Sequence, residues 1–166
     1  MTVSFIKEAR MNLLARLFRN ESFKEKLSLV ANCHVVLRGP NGKIKTERFI
    51  HNTVTTAGKY GALDQILASP TLAKVGWMAV GTGTPAATLL GAETARVALT
   101  SKTRSNAVVT MVGDYAAGVA TAALTEAGLF DVVTANTVNM WASASFSVVN
   151  KGASDTLSIT WTLTYA

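Results

Sequence analysis

Cysteine is almost absent from this chain of 166 residues, because Cys33 is the only one. A single thiol excludes an intrachain disulfide, and no CxxC pattern or basic flank indicates a reactive cysteine. Cys33 lies in the apolar run of residues 31–36. We therefore expect a buried structural thiol in a protein that folds in a reducing cytosol.

Charged residues are also scarce, at 16% of the chain against 49% hydrophobic residues. Such a composition excludes a disordered chain. No apolar stretch reaches the roughly 18 residues of a transmembrane helix, so none is predicted. Lys7 and Arg10 interrupt the N-terminal apolar segment, which argues against a secretory signal.

The few charges are distributed unevenly. Residues 1–50 contain 10 Lys and Arg against 4 Asp and Glu, whereas residues 51–166 contain 6 of each. We therefore predict two parts: a basic helical arm with a β-hairpin at residues 1–50, and a β-rich body with one leading helix at residues 51–166. A body with so little surface charge is expected to need cover from neighbouring subunits.

The N-terminal segment has the spacing of an amphipathic helix from residue 4 to about residue 30. Residues 20–22 predict a break, with a second helix that reaches Val30. A cationic amphipathic helix can lie on a membrane, contact phosphates or dock on a protein, or simply present a solvated face. Protein docking is favoured here, since acidic residues interrupt the basic ones and the apolar stripe needs burial. The predicted partner-binding residues are Phe5, Ile6, Arg10, Leu13, Leu14, Arg16, Leu17, Phe18 and Arg19.

Two turn signals organise the next part of the chain. Asn41-Gly42 predicts a hairpin between strands at residues 34–38 and 43–50. Pro70 ends a helix predicted over residues 55–68, in which Tyr60, Leu63, Ile66 and Leu67 share one side. Gly58 and Gly61 lower its helix propensity, and close packing would explain their presence.

The rest of the chain has the pattern of short strands. Residues 157–165 are the clearest, because five large apolar side chains alternate with Ser and Thr and so share one face. The fold class predicted is mainly β: an antiparallel β-sandwich or jelly-roll-like body, preceded by an N-terminal helical arm and β-hairpin. The predicted body strands are residues 75–81, 96–104, 107–115, 121–130, 137–149 and 157–165.

Candidate binding sites are weak. Residues 81–85 (GTGTP) follow an apolar strand but lack the Lys and Ser/Thr of a phosphate-binding loop, so a structural loop is predicted. His34 and His51 could face each other across the hairpin, yet no set of Cys, Asp or Glu at ligand spacing accompanies them. We predict ordinary hairpin histidines, no metal site and no cofactor.

Catalytic residues are not recognisable either. Acid–base catalysis needs paired groups in a cleft, and no Gly-x-Ser-x-Gly elbow is present. Glu126, inside an apolar stretch, is predicted to pair with Arg96 or Arg104. We therefore do not expect an enzyme or a small-molecule substrate. The acidic residues of the body occur singly, at Asp64, Glu93, Asp114, Glu126, Asp131 and Asp155.

About two thirds of the chain, from His51 onward, resembles a group of small structural proteins of tailed bacteriophages. Several ordered segments carry the resemblance, and none of them contains a catalytic motif. The matching segments are HNTVTTAG (51–58), MAVGTGT (78–84), ETARVALTS (93–101), LTEAGLFD (124–131), FSVVNKG (146–152) and LSITW (157–161).

The resemblance implies a virion component, made in the cytoplasm of a bacterial host, that self-associates and binds other virion proteins of the capsid, neck or tail. A capsid decoration or cement protein is the preferred interpretation, and a neck or tail-fibre adaptor is the alternative. A homo-oligomer is expected, with a trimer as one candidate, and nucleic acid or membrane is not the expected partner. A third hypothesis is a carbohydrate or receptor-binding module, for which Trp141 is the candidate stacking residue, since Trp77 and Trp161 are predicted to be buried.

Overall fold

The computed structural model describes residues 28–165, which fold into two antiparallel sheets that pack face to face. The prediction of a mainly β, antiparallel sandwich is confirmed. The segment predicted to form a helical arm, with its nine predicted partner-binding residues, lies outside the described residues. In chain order the described elements are β1 (Leu29–Arg38), β2 (Ile44–His51), β3 (Thr53–Val54), α1 (Thr56–Asp64), β4 (Trp77–Gly81), β5 (Glu93–Ala98), β6 (Ser101–Ser105), β7 (Val108–Tyr115), β8 (Ala122–Phe130), β9 (Met140–Lys151) and β10 (Thr156–Tyr165).

Each sheet has five strands in the part of the chain that the structure describes. Sheet I has the order β2-β1-β10-β7-β6, and sheet II has the order β3-β9-β8-β4-β5. Most of the buried apolar side chains lie between the two sheets. A smaller cluster lies on the outer face of sheet II, where Leu90, from the loop between β4 and β5, packs with Phe130 and Met140.

Strand β10 supplies the centre of the core, as its alternating pattern predicts. Leu157, Ile159 and Trp161 are fully buried, whereas Leu163 is half-buried and Tyr165 is 44% exposed. Opposite Trp161 on β1 lies Cys33, which is buried as predicted, and its burial raises the pKa of the thiol to about 12. The apolar face of β10 is therefore covered at one end of the sandwich and open at the other.

The structure corrects two predictions about residues 29–50. The second arm helix was expected to reach Val30, but β1 begins at Leu29, because it pairs with β10 along ten residues, from Leu29 opposite Tyr165 to Arg38 opposite Thr156. In addition, the hairpin belongs to the sandwich rather than to a separate arm, since β1 lies between β2 and β10.

The strand predicted at residues 96–104 is in fact two strands in different sheets. Strand β5 pairs with β4 in sheet II, and β6 pairs with β7 in sheet I. The chain crosses between the sheets at Leu99 and Thr100, whose N–H groups donate to Gly76 O (2.9 Å) and Val112 O (2.7 Å). Both residues are apolar or β-branched, so the sequence pattern continues through the crossing.

The predicted helix at residues 55–68 is shorter, ending at Asp64. Thr55 caps its N-terminus, since its hydroxyl oxygen accepts a hydrogen bond from Gly58 N (3.0 Å). The Asp64 carboxylate accepts hydrogen bonds from Leu72 N (2.8 Å) and the Thr71 hydroxyl (3.0 Å), and these contacts lower its pKa. They hold the segment after α1 in turns instead of further helix.

Candidate interaction surfaces

Glu126 is a structural residue, but not in the way the sequence predicted. Its fully buried carboxylate accepts hydrogen bonds from three backbone N–H groups: Gly83 (3.0 Å), Gly91 (2.9 Å) and Ala92 (2.8 Å). The prediction of an ion pair with Arg96 or Arg104 is therefore wrong. Charge-assisted bonds to backbone N–H groups can replace a cationic partner, and the glycines allow the backbone to come this close. The GTGTP segment is thus part of a loop that is fixed to β8.

Arg96 has its own buried partner. Its guanidinium donates two hydrogen bonds of 2.8 Å to Glu93, and both side chains are only 2% exposed. It also donates to Val132 O (2.8 Å) and lies 3.7 Å from the centre of the Phe130 ring. Because every one of these contacts is internal, the pair fixes β5 and the loop after β8 and leaves no charge available for a ligand.

A third polar cluster joins the β9–β10 turn to the hairpin. The ammonium of Lys151 donates to Asp155 O (2.6 Å) and Ala116 O (3.0 Å), and burial lowers its pKa. The Asp155 carboxylate accepts from Lys45 Nζ (2.7 Å) and Gly152 N (2.9 Å), and these bonds lower its pKa. This cluster also satisfies itself within the fold.

The two histidines do not face each other across the hairpin. His34 lies opposite Phe49, and His51 lies opposite Asn32. The His34 ring stacks on Phe49, with 4.1 Å between centroids, and its Nε2 lies 2.8 Å from a Glu47 carboxylate oxygen. Among residues 28–165, no group of three or more His, Cys, Asp and Glu side chains is placed to hold a metal ion.

Trp141 does not fit the role of a ligand-stacking residue. The face of α1 that carries Gly58 and Gly61 packs directly on it, so closely that a Cβ on Gly58 would overlap the Trp141 carbonyl and one on Gly61 would overlap the ring. Close packing at these glycines is therefore confirmed. The helix covers one side of the indole, which argues against the carbohydrate-binding hypothesis at this position. Trp161 is fully buried, and Trp77 is half-buried.

The opposite face of α1 presents apolar side chains to solvent. Tyr60 is 66% exposed, Leu63 is 56% exposed and, just beyond the helix, Ile66 is 80% exposed. Together with Leu29 and Tyr165 they line a groove of about 390 Å³, which we call the end groove. A second apolar depression continues from it toward Trp141 and Leu163. Contiguous apolar surface of this kind is typical of an interaction site. The sequence showed that these side chains share a face but not that the glycine face is the one that packs.

Several strand edges are also unpaired in the part of the chain that the structure describes. Strand β3 pairs with only Ala142 and Ser143 of the twelve-residue β9. At the edge of sheet I, every residue of β6 is exposed, and Lys102 and Arg104 on this strand discourage unspecific pairing. Edge pairing with another subunit is therefore possible along β9, while β6 is protected by charge.

No protein-family model, curated protein or solved structure matches this chain. Among the described residues, no helix has both the length and the apolar character required to cross a bilayer.

Proposed function

We propose that this chain is a structural protein of a tailed-bacteriophage virion, and that it acts as a capsid decoration protein which binds the particle surface and neighbouring copies of itself. The segments that resemble phage structural proteins include β4, β5, β8 and β10. Two of these segments meet where Glu126 accepts a hydrogen bond from Gly83. The segment that forms β5 begins directly after Ala92, which also donates to Glu126. The resemblance therefore rests on residues that build the scaffold.

Among the described residues, the largely unpaired outer edge of β9 is the single observation that carries the proposal. Among the described residues, the buried charged groups of Glu93, Arg96, Glu126, Lys151 and Asp155 are engaged inside the fold. Asp131 is the exception, because one of its carboxylate oxygens is buried without a hydrogen-bond partner. What remains for interaction is apolar surface and strand edge, which are the usual materials of protein association. A protein built in this way is suited to binding other proteins.

The two parts of the chain have different tasks in this proposal. The sandwich contributes self-association through its open edges and its weakly charged surface. The arm fastens the subunit to a neighbouring virion protein, using the apolar stripe and the basic residues between positions 5 and 19. A homo-oligomer follows from this arrangement, because an exposed edge on one copy is available to another.

The proposal is tested on purified virions. Quantitative mass spectrometry should find the polypeptide at a fixed ratio to the major capsid protein, because a protein that decorates the capsid lattice should follow the number of its subunits. Its absence from purified particles would exclude a virion role. A copy number far below that of the major capsid protein would instead favour the alternative, a neck or tail-fibre adaptor.

Reconstitution provides a second test with a matched control. Capsids that lack the protein should bind the purified full-length chain in a sedimentation assay. Replacing Leu13 and Leu17 with Ser should abolish this binding, because it removes the apolar stripe of the arm. Replacing Asn12 and Ala15 with Ser, away from the stripe, should leave binding intact. Equal binding by both variants would show that the arm does not attach the subunit.

A further inference from the structure

The end groove lies where residues 1–27 join the sandwich. Leu29, the first residue of β1, forms part of its wall, and only Ser28 separates that strand from the segment outside the described residues. We propose that residues 1–27 of the same chain fill the end groove, with their apolar stripe against α1 and β10. This inference does not depend on the virion assignment.

The chemistry of the two surfaces is complementary. The groove is lined almost entirely by aliphatic and aromatic side chains, with Lys59 at its rim. It contains no arrangement of polar groups that would select a small molecule. The segment offers large apolar residues at helical spacing, which is the pattern of a helix that docks in an apolar groove. The residues of this stripe include Phe5, Ile6, Leu13, Leu14, Leu17 and Phe18.

The length of the segment is sufficient. A helix rises about 1.5 Å per residue, so residues 5–18 would span about 20 Å. The nine residues of α1 span about 14 Å by the same measure. The predicted break at residues 20–22 gives the chain a place to turn back over the groove from its attachment at Leu29.

The effective concentration of a tethered segment favours docking in the groove of the same chain over docking in the groove of a second copy. A tethered segment meets its own groove at an effective concentration in the millimolar range, whereas free subunits are usually studied at about micromolar concentration. A contact of equal strength is therefore made within the chain first, by a factor on the order of a thousand. Attachment of the arm to a neighbouring protein would then require the stripe to leave this groove.

Limited trypsin digestion of the full chain tests the docking, because residues 1–27 contain six Lys and Arg residues. Replacing the exposed Leu63 and Ile66 with Ser should increase the rate of cleavage within residues 1–27 at least tenfold. Replacing Val133 and Val138 with Ser provides the control, because these valines are similarly exposed, at 60% and 54%, but lie outside the groove. The control should be cleaved at the rate of the unmodified chain. Equal rates in all three proteins would overturn the proposal.

A second pair of variants changes residues 1–27, and the effect is measured on the residues that line the groove. Replacing Leu13 and Leu17 with Ser should accelerate amide hydrogen exchange in residues 56–67 at least tenfold, whereas replacing Asn12 and Ala15 should not. Because α1 itself is unchanged in these proteins, loss of its fold cannot produce the difference. Unchanged exchange with the stripe variant would contradict docking even if the groove variant had failed to fold.

Sedimentation velocity distinguishes the two sources of the segment. At 1 μM and at 100 μM the chain should show the same protection from trypsin, whatever its state of association at each concentration. Protection that appears only together with dimers would overturn the proposal, because it would place the segment in the groove of a second copy. If residues 1–27 dock in the end groove but the protein is absent from purified virions, this inference holds and the proposed function is excluded.

Discussion

The outer face of sheet II and the end groove are both apolar surfaces outside the main core, but only the first is covered by another part of the described residues. On sheet II the loop between β4 and β5 covers the sheet, and Glu126 fixes that loop through three backbone hydrogen bonds. At the end groove, Tyr60 and Ile66 remain exposed in the part of the chain that the structure describes. The fold itself therefore covers the outer face of sheet II, whereas the end groove is available for contact with another segment or another protein.

Removing the Glu126 carboxylate should have the largest effect, and it concerns the outer face of sheet II. In Glu126→Ala three N–H groups lose their acceptor, and each unsatisfied buried group costs about 1–3 kcal/mol. We expect the free energy of unfolding to fall by about 3–5 kcal/mol in urea titration. Thr125→Ala, next to it, removes one hydroxyl that donates to Gly83 O and should cost about 1 kcal/mol. A loss below 1 kcal/mol for Glu126→Ala would mean that the loop is not fixed by this residue.

The next effect concerns the covered face of α1. At an exposed helix position Gly→Ala stabilises by about 1 kcal/mol. Gly61→Ala should instead destabilise by about 1–3 kcal/mol, because the new methyl group would overlap the Trp141 ring. Thermal unfolding followed by circular dichroism measures the difference, with Thr56→Ala on the exposed side as the control. A stabilised Gly61→Ala protein would show that α1 is not packed on Trp141.

The Asp155 cluster gives a smaller effect that depends on pH. Hydrogen bonds from Lys45 and Gly152 lower the pKa of Asp155 below 3.8. A lowered carboxyl pKa contributes stability that is fully present above the unfolded value and is lost as the pH falls through the folded value. Asp155→Asn should therefore be less stable than the unmodified chain at pH 7. The gap should narrow below about pH 4, and a gap that is constant across the pH range would contradict this account.

The smallest expected signal is the rate at which the Cys33 thiol is alkylated, which should stay near zero in the folded protein. Since its pKa is raised to about 12 and it is buried opposite Trp161, almost no thiolate exists at pH 8. Iodoacetamide should label the folded protein at least a hundredfold more slowly than the protein in urea. Rapid labelling of the folded chain would show that this part of the core opens easily.

The sequence predicted the sandwich well because its strands alternate, as in Leu157, Ile159 and Trp161. It failed where two elements follow each other without a break in pattern, as at Leu99 and Thr100, where the chain changes sheets. The prediction that Glu126 pairs with an arginine was also wrong. Charged side chains can be recognised in a sequence, but three backbone N–H groups that converge on one carboxylate cannot. The end groove was missed for a related reason. Periodicity identifies the apolar face of α1, but it does not show that the opposite face, with Gly58 and Gly61, is the one that packs on Trp141.

A density map of the intact particle, at a resolution that shows side chains, tests the central comparison most directly. The map should show the subunit on the capsid with the end groove covered, by its own N-terminal segment or by a neighbour, and with the β4–β5 loop facing solvent. A subunit bound through that loop, with Tyr60 and Ile66 left open to water, would contradict the account.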